Sequence, residues 1–414
     1  MSVDELTSLP GAQAEAAAPA TGIRFILLLG LLDAFGPLGI DMYLPAFPRI
    51  EQDLGVHGGA MKLTLSLFLA GLAIGQLICG PISDRVGRRV PLIWGSFAFA
   101  AASVLCAFTR SIETLILARF VMGLAGATGM VVARAVVRDT FDESESARVY
   151  SLLMLVIGIA PILSPSIGDW LMGFGGWGII FWALAGFACV CGAAVVLDMP
   201  ETHPADRRVR EPLRSVVPHY LALAVDLRFL AYAAPAALAL GLIFSYVASA
   251  PSLFMQGFGL SSRAFALIFA ANAVGLIGSA QLNRRLARRY DTHSILRAAA
   301  AVNAAACLLL AALAWTGAGG VAGLVAAIFV SLSTLGVMMP NATAAVMAPY
   351  ADRAGVASAL LGMLQFAVGA VAGAAVGVFH DGTARPMAVA MAGCATLALL
   401  ILLAGDRRGA RQPA

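Results

Sequence analysis

Charged side chains are scarce in this sequence. Of its 414 residues only 12% are charged and 60% are hydrophobic, and the mean hydropathy is +0.88. A soluble domain carries roughly a quarter charged residues, which it needs to cover its surface with polar groups. The composition therefore excludes a soluble globular protein and predicts an all-α membrane protein.

Lysine, histidine and cysteine are also sparse. Lys62 is the only lysine beside 26 arginines, and no soluble basic face of the kind that nucleic acid requires is visible. The six cysteines lie in apolar segments, without metal-ligand spacing or a disulfide pattern, and the five histidines form no metal-binding constellation. No glycine-rich phosphate loop indicates ATP coupling. We expect no metal, no cofactor and no nucleic-acid partner.

Twelve stretches are long and apolar enough to cross a bilayer, which takes about 20 residues each. Residues 1–23 are alanine-rich with no basic region before an apolar core, which is typical of a disordered cytoplasmic tail and not of a signal peptide. The polar segment 199–228 is a cytoplasmic linker that separates two six-helix halves, 24–198 and 229–404, and 405–414 is a second tail. The predicted spans are approximately 24–46, 60–82, 91–109, 113–137, 147–171, 177–198, 229–252, 263–283, 294–315, 320–343, 354–379 and 386–404.

The arginines predict the orientation. With the N-terminus inside, 20 basic residues fall in cytoplasmic loops and tails and 5 on the opposite side. Basic residues accumulate on the cytoplasmic side of membrane proteins, so both termini are expected there.

The two halves share a repeat. GQLICGPISDRVGRR begins at Gly75, and 200 residues later GLIGSAQLNRRLARR keeps the glycine as Gly275 and the arginine pair as Arg288–Arg289. Repeated halves are typical of transporters that rock around a central site.

The segment Gly75–Arg89 resembles the signature loop of the major facilitator superfamily, G-x-L-x-x-G-P-x-x-D-R-x-G-R-R. By this resemblance the fold has twelve transmembrane helices, and the loop stabilises the outward-facing state. We expect Asp84 to face a helix N-terminus of the opposite half, and Arg88 to pair with Asp139 after the fourth helix. The residues assigned to this conformational switch are Gly75, Gly80, Asp84, Arg85, Gly87, Arg88 and Asp139.

Two further motifs resemble the same family. LARFVMGLAGATG contains Arg119, with Met122 where the family usually has glutamine. GIAPILSPSIGDW resembles the antiporter motif of the fifth helix, with Ser164 and Asp169 in place of glycines. Small residues and prolines on one helix face permit close packing and bending, so we expect them to act in conformational switching. These residues are Gly158, Pro161, Pro165 and Gly168.

The segments IDMYLPAFP, VVRDTF and PNATAAVMAPYADRAGVASALLGMLQ resemble the Bcr/CflA drug exporters, which confer resistance to bicyclomycin, chloramphenicol and florfenicol. The resemblance implies a monomeric, proton-coupled antiporter for small amphipathic drugs in the bacterial inner membrane. An importer or symporter of a nutrient with the same fold is the alternative. A membrane enzyme would need a polar catalytic cluster, and none is visible.

Two aspartates lie inside the first predicted span, where a carboxylate is costly and usually functional. At ~1.5 Å per residue, Asp33 lies about 14 Å and Asp41 about 26 Å from the start of the helix, and Pro37 between them is expected to bend it. Asp33 is the candidate for shared proton and drug binding. The alternative is a protonated side chain that only stabilises helix packing.

A buried arginine needs an anionic partner, and Arg119 has a depth similar to that of Asp41. We therefore expect an Asp41–Arg119 pair that gates or relays protons. The alternatives are a static ion pair, or an interfacial Asp41 that caps the end of its helix. Arg134, nearer the cytoplasmic end, is expected to snorkel toward water.

The C-terminal half has no charged residue well inside a span. Proton chemistry is therefore expected in the N-terminal half, while both halves contact the drug. The alternative for each polar side chain is a helix–helix hydrogen bond. The candidates for lining the cavity are Tyr43, Met130, Met154, Tyr246, Asn272 and Gln365.

Overall fold

The computed structural model describes residues 22–56 and 59–409, with side chains except at 143, 144, 147, 151, 154–157, 351, 352 and 405–409. The described chain is built from helices, which are joined by short connections except at the linker between α8 and α9. They are α1 (Ile23–Asp33), α2 (Phe35–Asp41), α3 (Phe47–Leu54), α4 (Gly59–Val86), α5 (Arg89–Phe108), α6 (Ile112–Thr140), α7 (Glu143–Gly175), α8 (Gly178–Asp198), α9 (Val217–Ala224), α10 (Leu227–Pro251), α11 (Ser262–Leu286), α12 (Thr292–Thr316), α13 (Gly320–Met347), α14 (Ala354–Val378) and α15 (Arg385–Gly409).

Most of these helices are long enough to cross a membrane. Within the described ranges ten are also sufficiently apolar, and the bent first segment adds an eleventh if its parts form one span. Helix α7, with 33 residues, is of spanning length as well. The all-helical membrane fold expected from hydropathy is confirmed.

The first span is broken at Ala34. The chain bends by 45° between Ile23–Asp33 and Phe35–Leu54. Pro37 explains the position of the break, because it has no N–H to donate to the carbonyl of Asp33 and its ring clashes with that carbonyl. The predicted bend is therefore present, and it places Asp33 at the end of α1 and Asp41 at the end of α2.

In each half the second spanning helix packs on the fourth through glycine. A Cβ at Gly75 of α4 would meet Ala127 Cβ of α6 at 2.3 Å, and a Cβ at Gly275 of α11 would meet Ser333 Oγ of α13 at 2.3 Å. These distances leave no room for a side chain, so the repeated glycine has the same packing role in both halves.

The two halves meet mainly where α4 packs on α14 and α7 packs on α11. A Cβ at Gly59 would meet Gly377 O at 2.4 Å, so α4 and α14 are nearly in backbone contact at the ends predicted to face outward. Inside the linker, a 3-10 turn at Leu213–Val216 leads into the short helix α9.

Candidate functional site

Asp33 lies at the break in the first span and is fully buried. Its Oδ1 is 3.5 Å from Nη2 of Arg134 on α6, and its Oδ2 has no hydrogen-bond partner among the described residues. The Arg134 side chain is 40% exposed, so the pair joins a buried carboxylate to a partly exposed cation. The sequence position of Arg134 predicts only that it extends toward water, whereas in the structure it also lies beside Asp33.

The backbone of Arg134 is tied to the next helix. Tyr150 of α7 donates a hydrogen bond from its hydroxyl to the carbonyl of Arg134 at 2.9 Å. The guanidinium Nε is buried without a partner in the described part of the chain. One long contact and two unsatisfied atoms show that this pair is not a saturated structural salt bridge.

Asp41 ends α2 and is 5% exposed. No described residue forms a hydrogen bond or an ion pair with its carboxyl group. Tyr246 of α10, in the opposite half, is within electrostatic range of it. The hydroxyl of Tyr246 in turn accepts a hydrogen bond of 2.8 Å from Asn272 Nδ2 of α11. Asp41 therefore lies near a polar pair that belongs to the C-terminal half.

Arg119 is fully buried between two aromatic rings. Its guanidinium carbon lies 4.2 Å from the ring centroids of both Tyr43 and Phe68. Its Nη1 donates to the sulfur of Met122 at 3.4 Å, and Nε and Nη2 have no described partner. Ring faces stabilise a cation without neutralising it, so this charge is contacted but not paired.

The expected pair of Asp41 and Arg119 is not formed in this structure. No described carboxylate lies within 4.0 Å of the Arg119 guanidinium. Tyr43 is the physical reason, because its ring covers Arg119 and its hydroxyl is fixed by a 2.6 Å hydrogen bond to Thr64 Oγ1. Residue spacing predicts depth along a helix, but it does not predict which ring lies over the guanidinium.

The predicted cavity-lining residues separate into distinct environments. Tyr246 and Asn272 come together, whereas Tyr43 belongs to an aromatic cluster around Arg119. Met130 packs into the first span, since a Cβ at Gly36 would meet its sulfur at 2.6 Å. Gln365 is half-buried on α14. Met154 lies on α7, and its side chain is outside the described part.

The signature loop forms a network around buried Arg88. Its Nη1 donates to Asp84 at 2.6 Å and its Nε donates to Asp139 at 2.7 Å, which confirms the predicted partnership with Asp139. Asp139 lies inside α6 and not after it, because the helix continues beyond the apolar segment to Thr140. Asp84 binds Arg88, and it makes no hydrogen bond to a described residue of the C-terminal half.

Glu201 of the linker completes this network and was missed by sequence reasoning. Its carboxylate accepts hydrogen bonds from the backbone N–H groups of Arg88 at 2.7 Å and Arg89 at 3.2 Å. Gly87 has φ of +98°, and a Cβ there would meet Glu201 Oε2 at 2.3 Å. Arg85 donates to the linker carbonyl of Glu211 at 2.7 Å. The one sequence feature that points to Glu201 is its acidic side chain shortly after the end of α8.

The residues of the fifth-helix motif approach both the first span and the opposite half. A Cβ at Gly168 would overlap the carbonyl oxygen of Met42, which follows Asp41. A Cβ at Gly158 would meet Ile277 of α11 at 3.3 Å. Both Pro161 and Pro165 lie within α7.

Gly80 of the signature loop is less tightly packed than these glycines. A Cβ at Gly80 would meet only Val131 Cγ1 of α6, at the ordinary contact distance of 3.7 Å. Its predicted role in the conformational switch therefore has no support from close helix packing in this structure.

Polar contacts join the halves at the ends that are predicted to face outward. Lys62 of α4, which is 2% exposed, lies 2.7 Å from Nδ1 of His380, after α14. Gln256 donates to Glu51 at 2.6 Å, also across the halves. Together with the Gly59–Gly377 approach, these contacts close this side of the molecule.

Comparison with known proteins agrees with this architecture. Residues 29–374 match the family model described as Major Facilitator Superfamily. The human organic anion transporter MFSD10 has a similar fold, with a TM-score of 0.65 at 19% identity over 92% of this chain and 99% of that chain.

Bacterial relatives match over most of their length. The MFS-type transporter YdgK of Bacillus subtilis is 36% identical, over 89% of this chain and 92% of its own. The bicyclomycin resistance protein homolog of Haemophilus influenzae is 32% identical over 91% and 94%, and the multidrug resistance protein MdtL of Klebsiella pneumoniae is 30% identical over 83% and 85%. The chain therefore belongs to the major facilitator superfamily, as a multi-pass membrane transporter similar to these resistance proteins.

Proposed function

We propose that the protein exports small amphipathic antibiotics of the bicyclomycin, chloramphenicol or florfenicol type in exchange for protons. It acts as a monomer in the bacterial inner membrane, with both termini in the cytoplasm and the proton as its coupling ion. The observation that carries the proposal is the broken first span, which holds Asp33 beside Arg134 and Asp41 toward the opposite half.

The geometry supports a role for Asp33 as the shared proton and drug site. A buried carboxylate is stable either as the neutral acid or with a cation nearby. In the deprotonated state Arg134 compensates its charge, and in the protonated state the pair is released. Proton binding therefore changes a contact between α1 and α6, which is the type of change that alternating access requires.

The names of the relatives support the choice of substrate class. The Haemophilus influenzae relative is named for bicyclomycin resistance and MdtL for multidrug resistance. Bicyclomycin and chloramphenicol are uncharged, hydroxyl-bearing compounds. They suit a site to which the N-terminal half contributes charged groups and the C-terminal half contributes neutral polar groups.

Drug-dependent proton flux in proteoliposomes tests the proposal. With the purified protein, added bicyclomycin or chloramphenicol should drive proton movement in the opposite direction. The Asp33→Asn variant should lose the flux, because its side chain cannot carry a proton between states. Asp206→Asn is a matched control, since Asp206 is exposed in the linker.

Two results would contradict different parts of the proposal. Proton movement in the same direction as the substrate would favour a symporter that imports a nutrient. Unchanged flux in Asp33→Asn, with opposite proton movement retained, would leave antiport in place and remove Asp33 from it.

A further inference from the structure

Tyr246 and Asn272 form a polar pair that the helix packing leaves unsaturated. Both side chains are buried, at 2% and 4% exposure. Asn272 donates from Nδ2 to the Tyr246 hydroxyl at 2.8 Å, while Asn272 Oδ1 has no partner among the described residues. A buried amide carbonyl without a donor is costly, and such groups in native proteins usually have a purpose.

Apart from Ser333, the other buried polar side chains in the described part of this half form hydrogen bonds within their own helix or with a neighbouring one. Ser245 and Ser249 donate to carbonyls of α10 at 2.8 Å each, Asn303 donates to the Ser331 carbonyl at 2.8 Å, and Asn341 donates to Asn283 at 2.7 Å. Ser333 Oγ is the second unpartnered atom in the described part of this half, and it lies in the α11–α13 contact. Asn272 therefore differs from the residues that only join helices.

The pair also lies toward the opposite half. Tyr246 is within electrostatic range of Asp41, and its ring stacks on Phe269 with centroids 5.9 Å apart and planes 21° apart. Since the Tyr246 oxygen accepts from Asn272, its own O–H proton is available to a further acceptor. One donor, one acceptor and an apolar ring are thus presented together.

Charge distribution limits the chemistry of the ligand. The buried charged side chains of the described chain all belong to the N-terminal half. The Tyr246–Asn272 pair is neutral, so it suits a neutral group that both donates and accepts hydrogen bonds.

We infer that Tyr246 and Asn272 form a substrate-recognition site for the hydroxyl or amide N–H group of an uncharged substrate. Asn272 Oδ1 accepts from that group, the Tyr246 hydroxyl donates to it, and Phe269 contacts an adjoining apolar part. The inference rests on the proposed function, and it specifies which chemical group of the substrate the C-terminal half binds.

Transport kinetics with bicyclomycin and chloramphenicol, both of which carry hydroxyl and amide N–H groups, test this inference. Asn272→Leu removes the acceptor at similar volume, and the KM for both compounds should rise about three- to tenfold, the usual effect of one neutral hydrogen bond. The maximal rate should stay within about twofold, because proton coupling belongs to the other half. Tyr246→Phe, which keeps the ring, should raise KM as well.

Ser333→Ala is the matched control, because it removes the other unpartnered polar atom of this half and should leave KM unchanged. If Asn272→Leu does not reach the membrane, Tyr246→Phe and Asn272→Ser decide the question. Wild-type KM in the folded variants, or an equal rise in Ser333→Ala, would overturn the inference alone. A wild-type protein that transports neither compound would overturn the proposed function and this inference with it.

Discussion

At the scale of single residues, the ion pair of Asp33 and Arg134 joins a buried carboxylate to a partly exposed cation. The carboxylate is fully buried, whereas the arginine side chain is 40% exposed. Two orphaned atoms remain, one on each partner. Such a pair can change partners, because a proton, a drug or a repositioned donor can bind to the atoms that have no hydrogen-bond partner.

We expect Arg134→Gln to reduce drug efflux at least tenfold at wild-type protein levels. Without the cation, deprotonated Asp33 would be a buried charge with no partner, and the inward-facing step that releases the proton would become costly. Arg134→Lys should retain part of the activity, because lysine keeps the charge but not the forked geometry. Efflux rates in inverted membrane vesicles provide the measurement.

Arg138→Gln provides the matched control on the same helix. Arg138 lies one turn further along α6, its side chain is 60% exposed, and its contact with Asp139 is long at 4.0 Å. Efflux should stay near the wild-type rate. Wild-type efflux in Arg134→Gln would remove the ion pair from the transport cycle.

The charged residues of the site can be recognised in the sequence, whereas their partners cannot. Asp33, Asp41 and Arg119 stand out because charge is rare inside apolar spans. Their partners depend on helix rotation and on the bend at Ala34, which no linear spacing specifies. Tyr43 is the clearest example, since its ring lies over Arg119 where a carboxylate was expected.

At the scale of the helix, glycine sets how closely α4 and α6 approach. A Cβ at Gly123 would lie 2.0 Å from the carbonyl oxygen of Phe68, and one at Gly71 would lie 2.2 Å from that of Phe120. The obstacles are backbone atoms, which cannot rotate away. The helices must therefore separate if either glycine gains a side chain.

We expect Gly123→Ala to destabilise the protein by about 1–3 kcal/mol, the usual cost of overpacking. The melting temperature of the detergent-solubilised protein should fall by several degrees, and size-exclusion chromatography after heating measures it. Gly186→Ala is the control, because a Cβ there meets nothing within 4 Å. In a helix, alanine is preferred to glycine, so this variant should be unchanged or slightly more stable. Equal melting temperatures for both variants would contradict the packing argument.

Helix positions followed from the sequence because a bilayer fixes the length of an apolar segment. Helix ends did not, since α6 and α7 continue past the apolar residues into charged ones. Hydropathy alone therefore predicts that Asp139 follows the fourth helix, whereas α6 contains it; the predicted pairing with Arg88 is present. Glu201 cannot be recognised in this way, because a linker carboxylate has no apolar neighbours in the sequence that would distinguish it.

At the scale of the whole molecule, the halves are held together at the ends predicted to face outward. The chain's only lysine, Lys62, is buried there against His380, with Glu51 and Asp381 as the nearby acidic groups. The Lys62 ammonium has donors but no acceptor, so Nδ1 of His380 accepts in this contact and the ring is neutral. Burial and the adjacent Lys62 lower the pKa of His380, while Asp381 opposes this shift.

The contact between Lys62 and His380 makes closure of this side dependent on pH. The open form, in which His380 is free of Lys62, binds a proton more readily, so closure is fully stabilised above the ordinary histidine pKa of about 6.5 and is lost as pH falls below it.

Spin labels on the two halves measure this closure. They can be attached at exposed positions through Arg110→Cys and Thr316→Cys, with the native cysteines replaced. The distance between the labels should increase when the pH is lowered from about 8 to about 5.5. His380→Gln should reduce this pH response, because glutamine does not titrate. His293→Gln, at an exposed histidine in the first turn of α12, should preserve it. An undiminished response in His380→Gln would assign the pH dependence to the buried aspartates and not to the contact between the halves.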